Sequence, residues 1–293
     1  MALGFLIVKL RLLKSADSRV LSVVSIYILC PCMIVKSFQI EFTPQVRSGF
    51  LLALGAAVGV NFLLMGVTKL YAKALGFDSV ERASVMYANT GNLVLPLVST
   101  VLGEEYVIYA SAFMCVQMVF IWVHANSLIG GVKGFSLKKI LTNVNIIAIA
   151  AGIALLLSGI ALPGLVTDVM GQLSAVMGPA AMLMIGMLLA GVDWKQVLRS
   201  RRSYLVVALK MGVTPLLVLA ALKLSGLQKL VPDGKTVLYI SFMAVITPCA
   251  SFVTQLAQIH RNRPEYASAL NVMTTLACIG TMPLMTWLYM LVM

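Results

Sequence analysis

The sequence predicts an all-α membrane protein of ten helices in two inverted five-helix repeats, the first helix shortened and the fourth and ninth broken. Three observations predict this. First, 60% of the 293 residues are apolar and only 11% are charged, with a mean hydropathy of +0.99, a balance that a soluble domain of this size does not show. Second, the basic residues sit in short groups between long apolar runs, dense and sparse in alternation. Third, two apolar runs at matching positions in the two halves are interrupted at their centres by residues that stop helices.

About 20 apolar residues make one spanning helix. The runs that qualify are 19–38, 48–72, 80–101, 105–129, 140–161, 169–191, 203–224, 236–259 and 266–291. The opening stretch Met1 to Leu13 is apolar but short, and carries Lys9 and Arg11. Its eight residues before Lys9 reach only about 12 Å as helix, against a hydrocarbon core of roughly 30 Å. The charges follow the apolar run and no cleavage site appears, so a signal peptide is excluded. The stretch reads as the cytoplasmic end of a first helix whose beginning is missing; a short interfacial anchor is the alternative.

Loop charge sets the orientation. One set of alternate loops holds sixteen Lys and Arg residues, the opposite set five, and Lys210 is the remaining one of 22. The positive-inside rule puts the sixteen in the cytoplasm and the C-terminus outside. This distribution accounts for the net charge of +12 as membrane topology, with no nucleic-acid partner. Counting the shortened helix, residues 1–130 form five helices, 131–139 a cytoplasmic linker, and 140–293 five more. Five is odd, so the second repeat is inverted, and inverted repeats place their site in discontinuous helices at the repeat interface.

The first interruption is Asn89-Thr90-Gly91-Asn92 followed by Pro96. Gly loosens the backbone, and Pro96 cannot donate its bond and crowds the carbonyl of Asn92. Two carboxamides at bilayer depth are costly unless they face protein or water. The second interruption is Thr247-Pro248, at the centre of its own run. Alone, a proline kink is ordinary and Asn-Thr-Gly-Asn could be interhelical hydrogen bonding; together, in inverted halves, they read as the two sides of one binding site. Where a helix resumes after a break, its unpaired N–H groups and the positive end of its dipole attract a carboxylate. Thr247, Ser251, Gln255 and Gln258 follow helical spacing as one polar stripe, read as an inner vestibule, with helix-to-helix contact as the alternative.

These residues resemble the auxin efflux carrier family of the bile acid/auxin carrier-like superfamily, in a compact form without the long central hydrophilic loop of plant members. The resemblance runs over essentially the whole chain. It rests on Asn89-Thr90-Gly91-Asn92 with Leu95-Pro96, Thr247-Pro248 and the polar helix after it, Lys210 with Pro215, the stretch around Pro283, and Leu3-Gly4-Phe5-Leu6 leading to Leu10-Arg11-Leu12-Leu13. It implies helices four and nine crossing at mid-membrane. It also implies transport of organic anions, auxin in plants and dicarboxylates such as malate or malonate in some bacterial relatives. The expected location is the bacterial inner membrane.

Substrate contacts are therefore expected from Asn89, Thr90, Gly91, Asn92, Pro96, Thr247, Pro248, Ser251 and Gln255. Lys210 lies about seven residues inside its run, roughly 10 Å deep. It either draws anions or responds to protonation, or else its stem snorkels to the interface. Asn61 is its weaker counterpart in the first half, while His124, Gln117, Asn271 and Thr275 read as packing groups. Gly55 and Gly59 form a small-xxx-small pair for close helix contact, a homodimer face being one use.

The five cysteines, Cys30, Cys32, Cys115, Cys249 and Cys278, lie in apolar runs as small core residues. No metal site and no cofactor is expected. The expected partners are the lipid bilayer and a small organic anion. An intramembrane enzyme would need a nucleophile with a base, paired aspartates or metal ligands; His124 and His260 are the only histidines, and the carboxylates Glu104, Glu105 and Asp193 lie at run edges. The reading is a secondary carrier and not an enzyme. The alternatives are a sodium-coupled anion symporter of the bile-acid type and a sensor that binds the anion without moving it.

Overall fold

The computed structural model describes residues 1–39, 44–103, 106–131, 142, 144–191, 195 and 200–293. Among them every regular element is helical. Six helices are long and apolar enough to span a membrane: Ser15–Lys36, Arg47–Leu75, Val107–Gly130, Gly164–Leu189, Arg201–Ser225 and Pro264–Val292. Two shorter apolar helices, Ile147–Ser158 and Gly234–Ile246, accompany them. The run expected to begin near residue 169 begins at Gly164, because Pro163 in an extended conformation (φ −54°, ψ 140°) stands at its N-cap. This brings Asp168, which lies just outside the expected run, into the helix, and its side chain is exposed.

The chain divides into two compact units, each drawing on both halves of the sequence. One holds Met1–Phe42, Met118–Asp193 and Thr254–Ala269. In it the short helix Ala2–Lys9 packs against Gly164–Leu189. The approach requires glycine on both sides: a Cβ at Gly4 would collide with the carbonyl of Leu183, and one at Gly186 with that of Met1. Leu3 and Leu6 on the other faces are exposed. Ser22 reaches the sulfur of Met184 at 2.9 Å, and Gln39 accepts from the Leu162 N–H at 3.1 Å. The His260 ring lies 2.7 Å from the Asn126 carboxamide oxygen, and Asn262 donates to the Ile129 carbonyl at 2.8 Å.

The other unit holds Thr43–Gln117, Trp194–Val253 and Leu270–Met293. Its short helix Ser79–Met86 is fixed at the start by a capping box, Asp78 accepting from the Glu81 N–H and Glu81 from the Asp78 N–H, both at 2.9 Å. Glu81 is 2% exposed, a buried carboxylate within the expected run 80–101. Arg202 compensates it with two parallel bonds of 2.7 Å, the bidentate geometry that guanidinium favours. The same guanidinium binds the carbonyls of Leu75 and Gly76 and stacks over Phe77. One arginine thus ties the end of the Pro44–Leu75 helix to the start of the next. Tyr289 stacks on Phe242 at 5.3 Å and donates to the Lys235 carbonyl at 2.8 Å, fastening the last helix to Gly234–Ile246.

Prolines shape three helices in one way. A proline cannot donate and its ring crowds the carbonyl four residues back. Pro31, Pro96 and Pro215 each follow a π turn, at Ser25–Leu29, Thr90–Val94 and Leu209–Val213. For Pro31 and Pro215 the crowded carbonyl belongs to the third residue of the wide turn, which relieves the clash without ending the helix.

Candidate transport site

Both interruptions are present in the second unit, and the first differs from expectation in place. Ser79–Met86 ends at Tyr87, which is extended (φ −92°, ψ 134°). Asn89 follows with φ −82° and ψ 63°, the centre of an inverse γ-turn closed by the Thr90 N–H on the Ala88 carbonyl at 2.9 Å. Helix resumes at Thr90. The non-helical link is therefore Tyr87-Ala88-Asn89, while Gly91 and Asn92, expected inside the break, belong to the first turn of the next helix. Wide π geometry ahead of Pro96 lets the helix restart there. The side chains of Asn92 and Pro96 lie outside the described ones.

The second break matches expectation in position. Gly234–Ile246 ends at Thr247, extended with φ −77° and ψ 160°, the region that the residue before a proline prefers. Thr247 turns its hydroxyl back onto the Ala244 carbonyl at 2.7 Å and caps that helix end. It does not extend the polar stripe, because helix resumes only at Ser251.

The two links meet as a short antiparallel pair with Ala88 opposite Cys249. The Asn89 N–H donates to the Pro248 carbonyl and the Ala250 N–H to the Tyr87 carbonyl, each at 3.0 Å. Non-helical backbone inside a membrane must be satisfied by protein, and here each break satisfies the other. Of the expected site residues, Asn89 and Pro248 are in direct contact through these bonds. Asn89 is 8% exposed, and its carboxamide has no hydrogen bond among the described residues. Thr90, buried, accepts from Gln117 at 3.1 Å.

Along Ser251–His260, the residues Ser251, Thr254, Gln255 and Gln258 share one face by spacing and are all buried. Among the described residues, the hydroxyls of Ser251 and Thr254 and both carboxamide atoms of Gln255 have no hydrogen-bond partner. Buried polar groups are almost always paired, and this row is one of the exceptions among the described residues.

Lys210 is completely buried. Its ammonium points at the Val245 carbonyl, 3.4 Å away, in the last turn of the helix before the second break. Snorkelling to an interface is thereby replaced by a cation at the negative end of a helix dipole. Asn61 is buried too, its carboxamide nitrogen on the Ala57 carbonyl at 2.8 Å and its oxygen unpartnered among the described residues.

Three residues read as packing groups, or passed over, are part of this backbone arrangement. Gln117 donates to the Ala88 carbonyl at 2.7 Å and accepts from the Ala88 N–H at 3.3 Å. Asn271 donates to the Cys249 carbonyl at 2.8 Å, and Thr274 accepts from the Cys249 N–H at 3.2 Å. Their signal in the sequence is a carboxamide at membrane depth in the helix following each break.

Paired breaks in apolar helices are an arrangement that membrane transport proteins use. A profile of the family described as membrane transport protein matches residues 1–134 and again 128–286. The chain belongs to this family, that of the auxin efflux carriers, and is an integral membrane protein. Its members are transporters and not enzymes. No individual curated protein matches the chain.

Proposed function

We propose that the protein is a secondary carrier for a small organic anion, a mono- or dicarboxylate, working by alternating access around the two breaks. The observation that supports this best is the position of the two helix starts. Thr90 and Ser251 each begin a helix two residues beyond the paired residues Ala88 and Cys249. Two positive dipole ends are thereby tied to one backbone pair and together attract a carboxylate without a fixed charge. Asn89, Thr90, Gly91, Asn92 and Pro96 on one side, and Thr247, Pro248, Ser251 and Gln255 on the other, are the residues proposed to surround it. Lys210 adds a positive charge behind the second break.

The family profile matches twice, and this supports reading 1–130 and 140–293 as inverted repeats of five helices joined by 131–139, a linker that lies outside the described residues from 132 on. The bacterial inner membrane and an external C-terminus follow from the resemblance and the loop charges. Gly55 and Gly59 face open space, which suits a homodimer contact.

A sodium-coupled symporter is the second reading. The oxygens of Ser251, Thr254 and Gln255, unpartnered among the described residues, favour it, being hard ligands for a small cation; dependence of uptake on Na⁺ separates the two. The first experiment is thermal stabilisation of the purified protein across mono- and dicarboxylates, with Asn92→Ala as control. A ligand at a hundredfold its Kd adds about 2.7 kcal/mol to the folded state. A shift with one anion that disappears in the variant is expected; no shift with any carboxylate removes the substrate class.

A further inference from the structure

In an antiparallel pair whose hydrogen bonds flank the opposed residues, the N–H and C=O of those residues point away from the partner strand. A sheet would supply further strands to take them. At Ala88 the carboxamide of Gln117 does so, donating and accepting from one side chain. At Cys249 the task is divided between Asn271 and Thr274, three positions apart on one face of the last helix. Thr274 also donates its single hydroxyl proton within its own helix, to the Leu270 or Asn271 carbonyl at 2.9 or 3.0 Å. Its lone pair is thus preset to accept from Cys249, as the Asn271 nitrogen is preset to donate. Both residues are buried to within 1%, so their polarity has no solvent to turn to.

We propose that Asn271 and Thr274 are positioning residues of the broken-helix site. They act as a substitute strand that holds Cys249 opposite Ala88 and so fixes the direction in which the Ser251–His260 helix starts. The proposal rests on reading the breaks as the transport site. Gln117 does the same for Ala88 with unrelated residues, and that repetition argues against incidental pairing of buried groups. Asn271 and Thr274 each make one of the two bonds, and together they leave neither backbone group of Cys249 unpaired.

The test needs no substrate, so its outcome is separate from that of the anion reading. Opposed residues in such a pair have Cα atoms about 4.5 Å apart, within the range a disulfide spans. In a background with Cys30, Cys32, Cys115 and Cys278 changed to alanine, Ala88→Cys is expected to cross-link to the native Cys249 under mild oxidation in membranes. Adding Thr274→Val or Asn271→Leu is expected to slow cross-linking about tenfold, the order of one lost hydrogen bond. Thr274→Ser, which keeps the hydroxyl, should restore the rate. All rates are taken well below each variant's melting temperature, so that a merely structural loss does not change them. Equal rates in the valine and serine variants would overturn the proposal, and so would an Ala88→Cys protein that does not cross-link.

Discussion

Lys210 shows how far one residue can be read from sequence. Its depth in an apolar run marks it as unusual, but depth alone leaves both a long stem reaching for water and a buried charge. The π turn Leu209–Val213 decides between them: one extra residue in a turn shifts the faces on either side, so an ideal helical period misplaces the side chain. The ammonium faces the Val245 carbonyl, with no carboxylate paired to it by an ion pair among the described residues. Replacing a buried cation by an apolar residue of similar length is often neutral or stabilising. Lys210→Met is therefore expected to melt at or above the wild-type temperature. Anion uptake should fall about tenfold, the loss of one helix-end interaction in a dry site being of order 1–2 kcal/mol. Uptake at the wild-type rate would make Lys210 a packing residue. Gln117 and Asn271 were legible as residue types at depth but not as backbone partners, because the carbonyls they meet lie 29 and 22 residues away in the chain.

Breaks and kinks are the elements that set this structure apart from a plain bundle. The second break was legible because Thr247-Pro248 combines a pre-proline residue with a missing donor. The first was legible in existence but displaced in position, since Tyr87 and Ala88 carry no signal for leaving a helix. Pairing with the other break holds them extended. Pro248 has two effects here: it cannot donate, and its carbonyl receives the Asn89 N–H. Pro248→Ala keeps the carbonyl but adds a donor and lets the helix run on from Ile246. An unpaired buried N–H costs about 1–3 kcal/mol, so a modest fall in melting temperature is expected. Transport should suffer more, because a continued helix moves the start at Ser251. A variant that melts and transports like the wild type would reduce Pro248 to a simple kink.

At the scale of the whole molecule, the sequence reveals order along the chain and the structure reveals how distant parts combine. Among the described residues apolar length locates the six span-length helices closely, since it follows from the membrane and not from neighbouring helices. The compact units do not follow the two halves: one gathers residues 1–42, 118–193 and 254–269, and local pattern carries no record of such long-range packing. Orientation remains an argument from charge, and it makes the sharpest prediction at this scale. Sixteen basic residues on one side against five on the other form a strong bias, as each charge resists crossing the bilayer. Single cysteines placed at Lys14, at Lys229 and after Met293, in a cysteine-free background, test it with a membrane-impermeant maleimide. In intact cells the label should reach Lys229→Cys and the added C-terminal cysteine, and Lys14→Cys only after permeabilisation. The opposite pattern would invert the molecule. A C-terminus labelled on the same side as Lys14→Cys would mean an even number of crossings between them, and two repeats of five helices could not then be inverted with respect to each other.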